Sequence, residues 1–409
     1  MLNINTRAVR APYPPVLRAL MNAERADESR RWLSGWNGLN KGSTPLRRLD
    51  GLAAELGLGE LSVKDESVRS PLQSFKALGA PIAPVREVLR EHPGLDTVAM
   101  LKGTYAAAVA DYTVISATDG NHGRGLAAAA QSIGCKCVIV LHAQVSSERE
   151  EAIAAFGARI IRIKGNYDES VEEAARLAID NGWSVISDTS YDGYEDVPRD
   201  VMQGYATIAA EVVEQTEGRP GFTHVFLQGG VGGLAAGVIG YLWERLGAAR
   251  PHFIVVEPKQ ADCLLQSAIA GRPAKASGSV DSVMAGLACG ETSPLAWAFL
   301  ERSVDAFMTI EDDDAVASMR LLARGDVRGD IPVVAGESGV AGLAGLIELL
   351  KTPAVAAGFQ LDQQSRVLFI STEGATAPAV YEDLVGSSAD DVLARQTVWL
   401  NSHEQAIHA

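Results

Sequence analysis

The chain has few residues of the kinds that mark several protein classes. Four of its 409 residues are cysteines, none of them in a C-x-x-C pair or with a histidine at zinc spacing. This pattern argues against a bound metal ion. No run of about 18 apolar residues lacks a charge, so we expect no membrane span. Residues 1–17 contain no apolar segment typical of a signal peptide, so we expect a cytoplasmic protein.

Basic residues are in the minority. The chain has 36 lysines and arginines against 51 aspartates and glutamates, and its formal net charge is −15. An excess of negative charge disfavours binding to nucleic acids and to anionic membrane surfaces. Hydrophobic residues make up 47% of the chain, which is enough for a large core divided between two domains. A cytoplasmic enzyme is the natural expectation.

Short apolar runs alternate with segments of helical periodicity from residue 60 onward. This alternation predicts an α/β protein with mostly parallel sheets and helices on both faces. Gly157 and Gly182 stand where two of the helices should end. The first forty residues contain no clear strand and are predicted to form an arm against the body or a partner subunit. The predicted strands are residues 113–118, 135–141, 159–165, 183–188, 224–230, 252–258 and 366–372.

Lys76 lies in the segment SFKALGA, where a turn rich in Ser, Pro and Gln gives way to an apolar helical stretch. A lysine that forms a Schiff base must lose its proton, and partial burial near a cation or a helix N-terminus lowers its pKa. Phe75, Ala77 and Leu78 favour such burial. Considered alone, a lysine of this kind is more often a surface residue with a solvated ammonium group.

A glycine-rich run follows the predicted strand HVFLQ and precedes a predicted helix. It consists of Gly229, Gly230, Val231, Gly232 and Gly233. Backbone N–H groups at the start of a helix bind anions, and glycines let a phosphate approach the backbone closely. The competing interpretation is a dinucleotide fingerprint, which needs the first strand of the fold and an acid about twenty residues further on. The run lies in the middle of the chain, and by itself it is a weak signal.

A second turn from a strand to a helix contains Thr118-Asp119-Gly120-Asn121-His122-Gly123. Ligands bind α/β proteins at the carboxyl ends of strands, where this turn is placed. Asn121 can donate to an oxygen on a cofactor ring, and Asp119 is an acceptor placed where substrate should lie. The alternative for Asp119 is a helix N-cap, and His122 is predicted to be a buried residue behind the site.

Ser371 and Thr372 end the predicted strand RVLFI. A hydroxyl at this position could meet a pyridine nitrogen and, unlike a carboxylate, would leave it unprotonated. A plain helix cap is the alternative. A reactive amine, a Gly/Asn turn and a phosphate cradle, in that order, together predict one cofactor, pyridoxal 5′-phosphate (PLP), bound as a Schiff base to Lys76.

These motifs resemble the tryptophan-synthase-like PLP enzymes of fold type II. Within that group they are similar to the diaminopropionate ammonia-lyases, in blocks that span nearly the whole chain beyond about residue 30. The matching blocks are KDES, SFKALGA, TDGNHGRG, DTSYDGY, MQGYAT, VEPKQADC, MAGLACGE, GESG and ISTEG. The resemblance implies two lobes with PLP in the cleft between them. The large domain would comprise residues 1–88 and 201–409, and the small domain residues 89–200.

The resemblance also implies roles for individual residues. Lys76 would hold PLP, Asn121 would touch its ring oxygen, the run 229–233 would bind its phosphate, and Ser371 or Thr372 would meet the ring nitrogen. The reaction would be α,β-elimination on D- or L-2,3-diaminopropionate, giving pyruvate and two ammonia. Lys76 would take the Cα proton of one enantiomer and Asp119 that of the other. Asp188 would bind the β-ammonium of the substrate, because a carboxylate pairs well with a cation in a desolvated cleft.

Three hypotheses remain open from the sequence. Besides the ammonia-lyase, they are a serine or threonine dehydratase and a PLP- or nucleotide-binding module without activity. The dehydratases usually have a serine before GNHG, where this chain has Asp119, and Lys76 in its apolar helix argues against an inactive module. The resemblance further implies a homodimer. Cys263 and Cys289 lie in two of the matching blocks, and either free thiols or a disulfide between them is consistent with the sequence.

Overall fold

The computed structural model describes residues 1–118, 120–143, 145–165 and 167–407. Its strands are β1 (Leu2–Ile4), β2 (Leu46–Arg48), β3 (Glu60–Asp65), β4 (Thr113–Ala117), β5 (Lys136–Leu141), β6 (Arg159–Arg162), β7 (Ser184–Val185), β8 (His224–Gln228), β9 (His252–Pro258), β10 (Ala306–Ile310) and β11 (Arg366–Ser371).

Helices connect these strands. They are α1 (Pro15–Leu20), α2 (Ala23–Leu33), α3 (Asp50–Glu55), α4 (Lys76–Gly79), α5 (Ile82–Glu91), α6 (Thr97–Leu101), α7 (Ala106–Val109), α8 (Asn121–Ile133), α9 (Ser147–Ala154), α10 (Tyr167–Asn181), α11 (Asp196–Gln215), α12 (Gly233–Leu246), α13 (Cys263–Ala270), α14 (Pro294–Ser303), α15 (Asp312–Ala323), α16 (Ala341–Leu350), α17 (Pro353–Gly358), α18 (Pro378–Val385) and α19 (Ala389–Ile407). In the described ranges, no helix combines the length and the apolar character needed to cross a bilayer.

A seven-stranded sheet forms the larger part of the fold. Its order is β1-β10-β9-β8-β11-β3-β2, and the central five strands are parallel, with antiparallel strands at both edges. Both faces are covered: Val225 and Leu227 of β8 belong to one apolar cluster, and Phe226 between them belongs to the other. Burial on both faces explains the nearly continuous apolar strands, because alternate side chains of a strand point to opposite faces.

A second sheet has four parallel strands in the order β6-β5-β4-β7. Each of the seven predicted strands is present, several with tighter bounds than the apolar runs suggested. The predicted α/β class with mostly parallel sheets is therefore confirmed. The two sheets separate residues 113–185 from the rest of the strands, whereas the exact domain boundaries at residues 89 and 200 stay a prediction.

The prediction that the first forty residues contain no strand was wrong. Leu2–Ile4 forms β1, which pairs antiparallel with β10 at the sheet edge. The Asn5 side chain holds the turn after β1 by donating to the carbonyls of Glu301 and Val304, at 2.8 and 2.7 Å. A three-residue strand is too short to show a period, so its pairing is decided by the exposed edge of β10. Helix α2 then packs against α11, so this segment contacts the body of the protein.

Strand β3 was not predicted, because its sequence ELSVKD contains charges that do not suggest a buried strand. Lys64 is nonetheless completely buried, and its Nζ donates to Glu211 Oε2 of α11 at 2.6 Å. Arg69 donates to both oxygens of the same carboxylate, at 2.7 and 2.8 Å. The buried charges are thus paired and hydrogen-bonded, which is the condition for placing them inside a protein.

We expect Glu211→Ala to destabilise the protein strongly. The substitution leaves the buried ammonium of Lys64 without its carboxylate and removes two hydrogen bonds from Arg69. Breaking one side of a buried ion pair typically costs about 3–5 kcal/mol. Urea unfolding measures this free energy. Glu214→Ala on the same helix is the control, because its pair with Arg30 is half exposed and should contribute less than about 1 kcal/mol. Equal losses would contradict the special role of the buried network.

Candidate active site

The predicted site residues come from five chain segments that follow strands of the two sheets, and the segment with Asp188 follows β7. Lys76 begins α4 after β3, Asn121 begins α8 after β4, the glycine run joins β8 to α12, and Thr372 follows β11. Asn121, the glycine run and Thr372 lie at the carboxyl ends of parallel strands, where α/β proteins bind their ligands. The lysine segment is joined to the end of β11 by the isolated bridge between Ser74 and Glu373. Asp119 lies outside the residues that the structure describes.

Lys76 is held by its neighbours on several sides. The backbone N–H of Phe75 donates to the Thr372 carbonyl at 3.0 Å, which joins the lysine segment to the end of β11. The Nζ of Lys76 lies 5.1 Å from the ring centre of Phe75 and 5.6 Å from the ring centre of Tyr205. These aromatic rings pack against each other with centroids 4.7 Å apart. The side chain is 19% exposed, so the amine faces a partly enclosed, mostly apolar space.

Asp188 forms an ion pair and a hydrogen bond with the Lys76 ammonium. Burial by itself lowers the pKa of Lys76, but the Asp188 carboxylate outweighs it and the pKa lies above the ordinary value. Burial likewise favours a higher pKa for Asp188, whereas Lys76 and then His122 lower it below the usual range. The pair is therefore charged at neutral pH. The Lys76 ammonium must therefore lose its proton before the amine can act as a nucleophile.

The glycine run is a cradle from which side chains are excluded. Gly230 and Gly232 have φ angles of +64° and +100°, a region that favours glycine. A Cβ at Gly229 would lie 2.5 Å from Glu257 Cγ, and one at Gly232 would lie 2.9 Å from Leu300 Cδ1. The run leads into the N-terminus of the 14-residue helix α12, whose backbone N–H groups and dipole favour an anion. Gly233 also lies close to Asp188, whose carbonyl oxygen would be 3.6 Å from its Cβ.

We expect Gly232→Asp to abolish retention of the cofactor. The substitution adds a side chain to a residue at φ +100° in contact with Leu300 and Ala296, and it places a negative charge where the phosphate should bind. Cofactor content of the purified protein, measured from its visible absorbance, checks this. Gly218→Asp is the control, because Gly218 has φ +75° with open space around it and lies in another turn. Normal cofactor content in Gly232→Asp would place the cradle elsewhere.

Asn121 is the first residue of α8, and its side chain contacts the end of β11. Its Nδ2 donates to Glu373 Oε2 at 2.5 Å. His122, next to it, is buried, and its Nε2 lies 3.1 Å from the Ile186 carbonyl oxygen. Burial lowers the pKa of His122, and the Lys76 charge lowers it further against the effect of Asp188. This neutral, buried histidine agrees with the predicted position behind the site.

Ser371 and Thr372 are both buried at the end of β11. The Ser371 hydroxyl is 3.5 Å from the carbonyl oxygen of Glu373, at the limit of a hydrogen bond. Thr372 is fixed through its carbonyl by the Phe75 N–H. The structure thus brings this pair to the lysine segment, and the choice of hydroxyl for the ring nitrogen stays a prediction.

Cys263 and Cys289 are free thiols in the structure and both lie beside the glycine run. Cys263 Sγ donates to the Gly230 carbonyl at 3.4 Å, and a Cβ on Gly230 would lie 3.7 Å from Cys289 Sγ. Burial raises the pKa of Cys289 to about 12, so its thiol is protonated at neutral pH and is a poor nucleophile. The disulfide that the sequence left open is absent from this structure.

Two residues of the site were not identified from the sequence. Tyr205, in the quoted block MQGYAT, is buried beside Lys76, and its Oη has no hydrogen-bond partner among the described residues. Glu337, in the block GESG, is buried near Glu373 and raises the pKa of that carboxyl. Both residues lie in sequence blocks that match the family. The sequence of one helix or loop, however, does not indicate which other segment the side chain of such a residue will contact.

The residues present fit PLP. The partly enclosed Lys76 amine can form a Schiff base, and the glycine run at a helix N-terminus can bind a phosphate. The buried Tyr205 hydroxyl, which has no hydrogen-bond partner among the described residues, is a further donor. Among the described residues, no group of three or more His, Cys, Asp or Glu side chains is arranged to hold a metal ion.

Comparison with known proteins agrees with this arrangement. A model of the family "pyridoxal-phosphate dependent enzyme" matches residues 39–373. The diaminopropionate ammonia-lyase of Salmonella typhimurium is 40% identical over 358 residues, which are 85% of this chain and 88% of the relative. Crystal structures of the Escherichia coli diaminopropionate ammonia lyase, one of the holo enzyme and one in complex with D-serine, superpose with TM-scores of 0.85 and 0.84 at 36% identity. Each alignment covers 94% of this chain and 96% of the other. The chain therefore belongs to the diaminopropionate ammonia-lyase family of PLP-dependent enzymes.

Proposed function

We propose that this chain is a PLP-dependent ammonia-lyase acting on 2,3-diaminopropionate. The reaction is an α,β-elimination followed by hydrolysis, and one water and one diaminopropionate give one pyruvate and two ammonia. The ion pair between Lys76 and Asp188 is the observation that carries this proposal. Once the Lys76 nitrogen is bound to the cofactor, the Asp188 carboxylate loses its cationic partner. It is then free to bind another ammonium group, and the β-ammonium of diaminopropionate supplies one.

The residues around the amine divide the remaining work. Lys76, the run 229–233, Asn121 and Ser371 or Thr372 would hold PLP, which when bound supplies an electron sink for negative charge at Cα. After substrate has displaced it, the Lys76 amine is placed to remove the Cα proton of one enantiomer. Asp119 is proposed to do so for the other enantiomer. Asp188 holds the β-nitrogen in its protonated form, which leaves as ammonia more readily than a neutral amine would.

Elimination from serine or threonine is the second candidate reaction. A hydroxyl leaving group needs a proton donor, whereas an ionised carboxylate such as Asp188 carries no proton to give. A carboxylate of this kind suits a substrate that carries its own positive charge. This contrast favours diaminopropionate over the hydroxy amino acids.

A substrate panel tests the proposal. The holoenzyme is incubated with D- and L-diaminopropionate, D- and L-serine and L-threonine, and pyruvate or 2-oxobutyrate and ammonia are measured. We expect two ammonia per pyruvate from at least one enantiomer of diaminopropionate, at a kcat/KM above that for the hydroxy amino acids. Faster turnover of serine or threonine would favour the dehydratase. Absence of turnover, despite bound cofactor, would favour an inactive binding module.

We further propose that the protein is a cytoplasmic homodimer that binds neither nucleic acid nor membranes. The net charge of −15 supports the last point, since it repels anionic polymers and surfaces. The long C-terminal helix α19 leaves Val398 69% exposed and Leu400 37% exposed, which gives the chain apolar surface that a second subunit could cover. We expect light scattering at micromolar concentration to give twice the 43.2 kDa mass of the chain. A monomer mass would contradict this prediction.

A further inference from the structure

Glu373 is a buried carboxylate that the proposed reaction does not use. It follows Ser371 and Thr372 at the end of β11 and is only 4% exposed. An isolated β-bridge joins it to Ser74, two residues before Lys76. Its carbonyl oxygen accepts from the N–H of Gly336 at 2.9 Å, so its backbone is fixed on two sides. Burying a carboxylate costs free energy unless its oxygens accept hydrogen bonds.

Both carboxylate oxygens of Glu373 do have partners. Oε1 accepts from the backbone N–H of Ser338 at 3.2 Å, and Oε2 accepts from Asn121 Nδ2 at 2.5 Å. The contact with Asn121 joins the end of β11, in the seven-stranded sheet, to the start of α8, which follows β4 of the four-stranded sheet. An amide nitrogen carries two N–H groups, so Asn121 keeps one donor after bonding to Glu373. The accepting carboxylate therefore determines the orientation of the Asn121 amide: its nitrogen, rather than its carbonyl oxygen, lies toward Glu373, and the second N–H is available beside it.

We propose that Glu373 is a positioning residue for Asn121: it accepts one N–H of the amide and thereby directs the other toward the ring oxygen of PLP. This inference rests on the proposed function, in which Asn121 contacts that oxygen. Without Glu373 the amide could rotate and turn its carbonyl oxygen toward the ring oxygen, which would repel it. Glu373 acts through Asn121 and makes no contact with substrate.

The charges around Glu373 make this arrangement sensitive to pH. Burial raises the pKa of Glu373 to about 7, and the nearby Glu337 adds to the effect, while Ser338 and Asn121 oppose it. Arg124, one turn along α8 from Asn121, also faces Glu373, and Arg149 of α9 faces Glu337. As pH falls through about 7, Glu373 gains a proton and becomes a weaker acceptor for the Asn121 amide. As pH rises, the stronger charge-assisted hydrogen bond is restored.

The test measures PLP dissociation constants by titrating the apoenzyme and following visible absorbance. Glu373→Ala should weaken PLP binding about tenfold at pH 8, since a hydrogen bond to a charged group is lost. Glu373→Gln keeps an acceptor for Asn121 and should recover part of that loss. Asn121→Ala should also weaken binding, and the double variant Asn121→Ala/Glu373→Ala should be no worse than Asn121→Ala alone. Multiplying losses in the double variant would show that Glu373 acts independently of Asn121 and would overturn the proposal.

A pH series provides the second readout. The ratio of the Glu373→Gln and wild-type dissociation constants should fall toward one as pH drops from 8 to 6, because the wild type loses the charge that the variant already lacks. Glu337→Gln is the matched control: it removes the neighbouring charge and should move the midpoint to lower pH. The role of Glu373 would be contradicted if the ratio of the two dissociation constants did not change with pH. It would also be contradicted if Glu337→Gln left the midpoint of the pH dependence where it is in the wild type. Failure of the wild type to bind PLP at all would instead refute the proposed function.

Discussion

Lys76→Ala should lose the visible absorbance of the covalently bound cofactor and essentially all turnover. The Lys76 amine pairs with Asp188, whose backbone lies close to Gly233, and alanine offers no nucleophile to replace that amine. The ion pair that raises the pKa of Lys76 also disappears, so Asp188 is left with an unpaired charge in a partly buried space. Absorbance spectra and pyruvate release with saturating PLP measure the two effects.

Lys41→Ala is a suitable control, because Lys41 is exposed and lies before β2. It should keep both the spectrum and the activity of the wild type. Circular dichroism establishes that the Lys76 variant is folded. A wild-type spectrum that survives borohydride reduction unchanged, or a Lys76→Ala protein with the normal absorbance, would remove Lys76 from its proposed role.

Asp119→Asn should separate the two enantiomers of the substrate. If Asp119 is the base for the D-enantiomer and Lys76 the base for the L-enantiomer, the substitution removes the base that takes the Cα proton of the D-enantiomer only. Loss of a general base typically costs about 10²–10⁴-fold in rate. We expect a loss of this size in kcat for D-diaminopropionate, with L-diaminopropionate much less affected. Steady-state kinetics with each pure enantiomer measure the difference.

The same variant contains its own control, because each enantiomer is compared with the other on one protein. A helix N-cap role for Asp119 predicts a stability loss of about 1 kcal/mol or less, since asparagine also caps well, and no bias between enantiomers. Equal losses in kcat for the two enantiomers would contradict the two-base mechanism and indicate that Asp119 binds the substrate without acting as a base. A loss confined to L-diaminopropionate would exchange the roles of the two bases.

Local sequence patterns determined most of the regular structure. The short continuous apolar runs HVFLQ and HFIVVEP predicted strands buried on both faces, and they are β8 and β9. Gly182, predicted to end a helix, follows α10 with φ +68°, where other residues are strained. The glycine run also predicted its position at a strand end, and the SFK segment predicted the start of a helix, which is α4. In each case the deciding information lies within about ten neighbouring residues.

Contacts between distant segments decided the rest. Strand β3 carries Lys64 into the core because Glu211 of another element neutralises it, and β1 exists because β10 offers an unpaired edge. Lys76 meets Asp188 across 112 residues, and Asn121 meets Glu373 across 252. Periodicity and spacing specify which elements form, but the order in which strands pair determines which side chains face one another. The sequence by itself therefore determined most of the elements and the chemical groups of the site, and only the tertiary structure decided their charge partners.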